Sequence, residues 1–504
     1  MLIVIMTIVV YDDFTFRHVL RDCMNLLVRI TLISLAVLFS AVCAAQSETS
    51  HKNLKQSPPN VVLFLSDDTN WFDIEPYDRL YDYTPHNAIT PNLMKFAQQG
   101  MLFTSAFTST ALCSPTRQQL YTGLFPVRNG AYPQHSVADK GTKSVVHYFS
   151  DLGYRVALAG KRHIAPASVY PFEFVGEDIR GTEGTTTFGL EGVEEFIKRD
   201  KNQPFFLIIA SNNSHGPWTR GDRSLYDADK LNIPPFLVDS PEFRKSMVNY
   251  YAEITDLDTE FGLVDDVLIR NKVQKNTITI FTSEQGSGMP FAKFTTYDAG
   301  LKTAFMVRWP DKIAAGSITN AMVQYVDVVP TLIEAAQGKA PNNIDGKSFL
   351  SIMQGSQKEH REYTYGVHTT RNLLAGNDYP IRSVRSKRYK LILNLMHESE
   401  FNNLTTLGLK KKQGTLWEWQ QLGQKGKRWA KERVNLYLRR PAVEFYDVIN
   451  DPFETKNLAE QKKYQPIIEE HRNELARWMK QQGDLGIKTE LDACQHAASF
   501  KACP

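Results

Sequence analysis

Val61-Val62-Leu63-Phe64-Leu65-Ser66-Asp67-Asp68 is a run of five apolar residues without alternation, closed by a hydroxyl and two carboxylates. Such a run suits a strand buried on both faces, as in a parallel sheet covered by helices. Three further stretches share the design. Arg155–Ala159 leads into Gly160-Lys161-Arg162-His163, Phe205–Ala210 into Ser211-Asn212-Asn213-Ser214-His215-Gly216, and Thr277–Phe281 into Ser283-Glu284-Gln285-Gly286. Helical segments separate them; Thr90-Pro91 opens one and Gly100 closes it. The alternation predicts an α/β layered domain. Sites in parallel α/β sheets gather at the carboxyl ends of strands. The four polar clusters are therefore expected to form one site containing carboxylates, a lysine and two histidines.

The chain has 504 residues, 42% hydrophobic, 11% aromatic and 22% charged. That is ordinary globular composition and excludes a disordered or multi-span membrane protein. The length predicts a large domain plus a smaller one. Five cysteines in such a chain exclude a disulfide scaffold, and a net charge of +3 gives no reason to expect a nucleic-acid partner. Met24 to Ala45 reads as a secretory signal: Arg29, an apolar run from Ile30 to Val42, then Cys43-Ala44-Ala45 before Gln46. Met1 to Val10 is also apolar but is followed by Asp12 and Asp13, poor flanks for export, which makes Met24 an alternative to Met1 as the start. The mature protein is then expected to be secreted or periplasmic, without a stable membrane span. In that oxidising compartment Cys494 and Cys503 can pair, leaving Cys113 over.

From about Gly366 the texture changes. Ile381 to Asn394 reads as a strand pair, Val443 to Val448 as another strand, and Gln465 to Gln482 as a terminal helix. The expected division is an N-terminal extension and signal over 1–45, a catalytic domain over 46–365 and a C-terminal subdomain over 366–504. Leu409 to Pro441 carries ten Lys/Arg against Glu418 and Glu432, a net of +8, interleaved with Trp417, Trp419, Trp429 and Tyr437. One reading is a surface that meets a polyanion. The other is a solvated insertion whose aromatic residues anchor in the core.

Cys113-Ser114-Pro115-Thr116-Arg117 precedes Gln118-Gln119-Leu120-Tyr121-Thr122-Gly123. Ser114 as a cap and Pro115 in the first turn would put Cys113 at a helix N-terminus, where unpaired N–H groups suit an anion. Arg117, one turn on, would face the same spot with a forked guanidinium. The C-x-P-x-R stretch followed by Leu-x-Thr-Gly resembles the signature of type I sulfatases. The resemblance spans nearly the whole mature chain: Asp67-Asp68, Gly160-Lys161-x-His163, His215, Lys293 before Phe294-Thr295-Thr296-Tyr297, and Glu444-Phe445-Tyr446-Asp447 through Asn457-Leu458-Ala459. Val169-Tyr170-Pro171-Phe172-Glu173-Phe174 and Tyr379-Pro380-Ile381-Arg382-Ser383-Val384 are similar to the heparan N-sulfatase (sulfamidase) branch. Microbial relatives of that branch act on other sulfated polysaccharides, including ulvan.

The resemblance implies an alkaline-phosphatase-like α/β/α sandwich with a large, mostly parallel mixed sheet and a smaller C-terminal antiparallel sheet. It implies that a separate maturation enzyme oxidises Cys113 to formylglycine, whose hydrated aldehyde attacks the sulfur of a sulfated carbohydrate. One calcium ion would be bound by Asp67, Asp68, Glu284, Gln285 and position 113. Family members usually carry Asp then Asn where this chain has Glu284 and Gln285, a change that irregular calcium cages tolerate better than octahedral magnesium sites. Arg117 and Lys161 would hold the nucleophile, His215 and Lys293 would serve the leaving group, and His163 would take a proton as sulfate is expelled. His135, His368 and Arg382 are candidate substrate contacts. A phosphatase or phosphonate hydrolase of the same superfamily, or a non-catalytic binder of sulfated glycans, are the competing readings.

Overall fold

The apolar run at Val61 lies at the centre of a nine-stranded sheet in the computed structural model of the chain. The structure describes residues 57–179, 186–373 and 377–497, together with Arg21, Met24 and Leu26. The expected cleavage region of the signal and Cys503 lie outside the described residues. Contacts divide the chain into Met1–Ser57 and Pro58–Pro504, and both sheets belong to the second unit. Among the described residues no helix is long and apolar enough to cross a membrane.

The large sheet is built from β1 (Asn60–Ser66), β2 (Met101–Phe107), β3 (Arg155–Gly160), β4 (Glu173–Gly176), β5 (Phe205–Ala210), β6 (Thr277–Ser283), β7 (Lys302–Arg308), β8 (Ser317–Thr319) and β9 (Val323–Gln324). Its order is β4-β3-β5-β1-β6-β7-β2-β8, with β9 also pairing β2. The four strands legible as apolar runs are the contiguous centre, β3-β5-β1-β6, and each pairs its neighbour in parallel. Only β7 runs against its neighbours β6 and β2. Strands β2 and β7 escaped the sequence reading because polar residues interrupt or flank them. Lys302 finds its place only in the fold, its ammonium 3.7 Å above the Trp71 ring, and Arg308 reaches Asp265.

Side chains on β1 divide by parity, as a pleated strand requires. Val62 and Phe64 join a core with Leu207, Ile209 and the long helix Pro241–Arg270. Val61, Leu63 and Leu65 join the opposite core with Phe206, Ile208 and the helix Val328–Ala335. Each such fully buried side chain contributes about 1.5–3 kcal/mol. The sheet is thus sandwiched between two helical layers, the α/β/α arrangement the resemblance implied.

A second sheet of four antiparallel strands follows: β10 (Thr364–His368), β11 (Ile381–Arg385), β12 (Tyr389–Asn394) and β13 (Val443–Asp447). Val384, Leu391 and Phe445 pack against Leu475 and Trp478 of the helix Gln465–Gln482. That helix ends at Gly483 in the left-handed region, φ 70°, a conformation that suits glycine. Between β12 and β13 the basic stretch folds into helices Leu407–Lys411, Thr415–Gln424 and Arg428–Leu438. Leu416, Trp419, Val434 and Tyr437 sit in the same core as the long helix. Arg433 lies 3.7 Å over Phe291 and Arg440 lies 4.2 Å over Phe401. Trp419 and Tyr437 therefore anchor the segment, whereas Trp417 is partly buried and Trp429 exposed, and two of its cations are core groups.

Gly160 ends β3 at φ 79°, and a Cβ there would stand 2.2 Å from the Ala210 carbonyl oxygen. The same carbonyl accepts the Lys161 N–H at 2.9 Å. Gly160→Ala is expected to cost at least ~2 kcal/mol in denaturant unfolding. It should also lower turnover in the fraction that remains folded, by displacing Lys161; a variant of unchanged midpoint would contradict this account of the strand end.

Candidate active site

The helix Cys113–Thr122 starts one residue before the sequence reading placed its cap. Leu112 is extended, φ −135° and ψ 125°, and its carbonyl accepts the Thr116 N–H at 3.0 Å. Thr116 Oγ1 also donates to the Thr110 carbonyl at 2.6 Å, which draws the approaching chain back onto the helix. Ser114 is consequently inside the first turn and is not the cap. Its hydroxyl accepts from Gln118 Nε2 at 2.9 Å, while Gln134 Oε1 takes the Ser114 N–H at 3.3 Å. Cys113 remains at the helix N-terminus, buried, facing the ends of β1 and β6.

There the register pairs Ser66 with Ser283, which sets Asp67-Asp68 beside Glu284-Gln285. Cys113 Sγ is 3.8 Å from Asp67 Oδ1, 3.9 Å from Asp68 Oδ1 and 3.3 Å from Gln285 Nε2. One ligand atom from each of Asp67, Asp68, Cys113 and Glu284 falls within 4.8 Å of the others. Three cations surround them. Arg117 Nε lies 2.6 Å from Glu284 Oε2, Lys161 Nζ pairs with Asp67 Oδ2, and Lys293 Nζ donates to Asp68 Oδ2 at 2.7 Å. All six charged groups are buried.

Burial opposes every charge here, and the outcome differs by neighbour. It pushes the Glu284 carboxyl up to about 7 despite Arg117. It works against Asp67 too, but Lys161 and the other cations outweigh it and hold that carboxyl well below its usual range. Burial likewise disfavours the Lys293 ammonium, yet Asp68 and its neighbours hold the lysine well above its ordinary value. Burial and then Glu284 push the Cys113 thiol up to about 12, so an unmodified cysteine at this point is a protonated, poor nucleophile at neutral pH.

The donor set fits a hard divalent cation. It offers carboxylate oxygens from three residues, and Gln285 adds an amide whose Nε2 points at Asp68, Glu284 and Cys113 while its Oε1 is buried without a partner. A half-turn of the amide exchanges the two atoms and brings that partnerless oxygen to the clustered carboxylates, as a calcium-type ion would require. The charges agree. With Glu284 ionised on binding a metal, three carboxylates and three cations sum to zero, so a divalent ion leaves a surplus that an anionic substrate neutralises.

The histidines stand around this centre. His215 Nδ1 donates to the Gly216 carbonyl at 2.7 Å, since that oxygen only accepts. This leaves Nε2, 3.7 Å from Asp68 Oδ2, as the atom that exchanges a proton. His163 Nε2 and His135 Nδ1 share a hydrogen bond of 2.8 Å. Burial, aided by Lys161, lowers His163 to about 2, and burial with Lys161 and Lys293 lowers His135. Both rings are neutral at neutral pH. Asp68, His135 and His163 all have positive φ, at 51°, 55° and 45°. Each costs about 1–2 kcal/mol that surrounding contacts must offset, a concentration typical of functional sites.

Two expected substrate contacts lie in the interior of the fold. Arg382 is fully buried and forms a two-pronged ion pair with Asp484. His368, on the neighbouring strand, is also fully buried, its ring 5.6 Å from Phe401. They lie on opposite faces of the small sheet, since the register sets Arg382 opposite Val367 and His368 opposite Ile381, and both faces are covered, every residue of β10 and β11 being buried. Cys494 is disulfide-bonded; its expected partner Cys503 lies outside the described residues.

The sequence reading also missed the cleft. A cavity of about 450 Å³ has Asp68, His215 and Lys293 on its floor, Trp218 on one side, and Leu407 and Lys411 of the basic segment on the other. A lobe of about 230 Å³ lies beyond His215, near Lys161 and Glu253. A larger cavity of about 650 Å³ beside β8 has Lys358 as its only charged residue, and chemistry of this kind has no groups to work with there. Trp218 gave no pattern in the sequence. Its role depends on the loop after β5, where its Nε1 donates to the Ser214 carbonyl at 2.9 Å.

A family profile described as Sulfatase matches residues 59–338, and one described as N-sulphoglucosamine sulphohydrolase, C-terminal, matches residues 286–410. The chain is 34% identical over 452 residues to an ulvan-active sulfatase of Formosa agariphila, covering 87% of this chain and 84% of that one. It is 27% identical to the N-sulphoglucosamine sulphohydrolase of Homo sapiens, covering 84% of this chain and 90% of that protein. A solved structure described under glycosaminoglycan metabolism by Bacteroides thetaiotaomicron superposes with a TM-score of 0.67 at 19% identity, over 88% of this chain and 100% of that one.

Arg382→Ala leaves Asp484 uncompensated in the interior and is expected to cost about 3–5 kcal/mol of stability. Below the lowered melting temperature its KM should equal that of the unaltered protein. A raised KM at full folding would restore Arg382 as a substrate contact.

Proposed function

The chain belongs to the sulfatase family, in its sulfamidase-like branch, and on that premise we propose that it is an exported enzyme removing sulfate ester or N-sulfate groups from a sulfated polysaccharide or its oligosaccharides. The observation that carries the reading is the buried, charge-balanced cluster around Cys113, with an oxygen-rich donor set at the amino end of a helix. The names of the relatives support a sulfated glycan as substrate, with ulvan-type and heparan-type polymers as the first to test.

The chain's own groups have assignable work. Arg117 and Lys161 flank position 113 and, with Lys293, draw the anionic sulfate to the buried floor. His215, half-exposed beside Asp68 on the cleft floor, would hand a proton from Nε2 to the departing oxygen or nitrogen. Lys293 stands beside it on Asp68 and stabilises the same leaving atom. Neutral His163, hydrogen-bonded to His135, would accept a proton once the anionic sulfate offsets Lys161 and the burial that disfavour its charged form. Asp67, Asp68, Glu284 and Gln285 would hold a calcium ion that supplies Lewis-acid polarisation of sulfate oxygens, and a formylglycine made from Cys113 by a maturation enzyme would supply the nucleophilic hydroxyl.

Among the described residues both metal-capable groupings share Asp67 and Cys113, which supports one metal centre and a sulfate substrate over a two-metal phosphatase. Rates on matched aryl sulfate and aryl phosphate test this; faster phosphate cleavage would overturn it. Protein co-produced with a maturation enzyme should release sulfate from defined heparan, ulvan or carrageenan oligosaccharides, with product positions read by NMR. Cys113→Ala should abolish release, and chelation should suppress it until calcium, rather than magnesium, is returned. An intact thiol at position 113 in active protein would sink the nucleophile assignment. His215→Ala is expected to lose about 10²–10⁴ in kcat on poor leaving groups. On activated aryl sulfates it should lose far less, and equal losses on both would count against the proton-donor role.

A further inference from the structure

Much of the charge in the basic segment has partners. Arg433 and Arg440 lie over aromatic rings, Arg428 pairs with Glu432, and Arg439 with Glu400. Lys410, Lys411 and Lys412, like Lys425, Lys427 and Lys431, have no carboxylate within ion-pair distance among the described residues.

Lys411 lines the cleft whose floor carries Asp68, His215 and Lys293. Its place is set by a tight turn. Lys412 takes φ 55°, the Gln413 N–H returns to the Gly408 carbonyl at 2.9 Å, and a Cβ on Gly408 would stand 2.4 Å from the Gln413 oxygen. Among the described residues Asp68 is the only acidic one lining the cleft, and Lys293 already occupies it. The rim therefore presents positive charge that the fold does not neutralise. Trp218 offers an aromatic wall suited to the C–H face of a pyranose, and its ring is braced by Tyr250 at 5.3 Å. At about 450 Å³ the cleft falls in the ~300–1,000 Å³ range that holds ligands larger than one small ring.

We infer that Lys411 is a specificity-determining residue that receives an anionic group, a uronate carboxylate or a second sulfate, on the sugar adjoining the one that loses its sulfate. The inference rests on the reading of the cleft floor as the sulfate-cleaving centre. Its consequence is a preference for oligosaccharides with anionic groups on neighbouring residues, weakening as salt screens the rim.

The test uses full-length matured enzyme with sulfated tetrasaccharides from ulvan and heparan, in three forms: intact, carboxyl-reduced and singly sulfated. Lys411→Ala should raise the KM for the intact tetrasaccharide about fivefold relative to the KM for an aryl sulfate. Lys411→Arg should restore the ratio, and the ratio should lose its salt dependence in Lys411→Ala. The form on which the effect of Lys411→Ala disappears identifies the anion. An unchanged ratio, or an effect that persists on both altered forms, overturns the inference. Should the enzyme release no sulfate from any of these glycans, the reading of the floor fails instead. Calorimetry on Cys113→Ala protein then decides the rim separately: about fivefold weaker tetrasaccharide binding on adding Lys411→Ala supports the inference, and equal binding overturns it.

Discussion

Three carboxylates and three cations share a volume from which water is largely excluded, and neither set is tolerable there without the other. Removing a charge from water costs several kcal/mol, which is offset only by close, well-oriented partners. Asp67 with Lys161, Asp68 with Lys293 and Glu284 with Arg117 supply that compensation. The pairing also explains why the segments around the site must be placed so accurately. Each partner arrives from a different strand end or helix, so a displaced element would strand a buried charge.

The fold meets this demand through register. Parallel pairing of β1 with β6 and β5 fixes three of the strand ends, and β3 on β5 fixes the fourth. The helix beginning at Cys113 closes the cluster from above, with Arg117 one turn along its buried face. The electrostatic consequence is a centre without surplus negative charge that becomes more positive on binding a divalent ion, which suits it to an anionic ester. The thiol, protonated at neutral pH, is by contrast ill suited to act unmodified.

The small sheet and the helical segment between β12 and β13 do different work from what their composition suggests. Arg382 and His368 look like polar residues free to meet a ligand, yet both are interior groups of the small sheet. The basic segment looks like a solvated appendage, yet Trp419 and Tyr437 are as buried as any residue of the main core. What it leaves exposed, at Lys411, borders the cleft. Position in the assembled fold assigned these roles.

The central strands, the terminal helix and the gathering of Asp67, Asp68, Lys161, His215 and Glu284 at one edge were legible in the sequence. Unbroken apolar runs and the residues that follow them are local signals, and parallel sheets place strand ends together by geometry. The antiparallel strand β7, the capping of the Cys113 helix by Gln134, the interior fate of Arg382 and the cleft wall at Trp218 and Lys411 were not legible. Each depends on a partner distant in sequence: Trp71 beneath Lys302, Asp484 beside Arg382, and the loop after β5 opposite the basic segment. Local pattern reports which face of an element is apolar, whereas the pairing of a buried charge or the far wall of a cavity exists only once the chain has brought its two sides together.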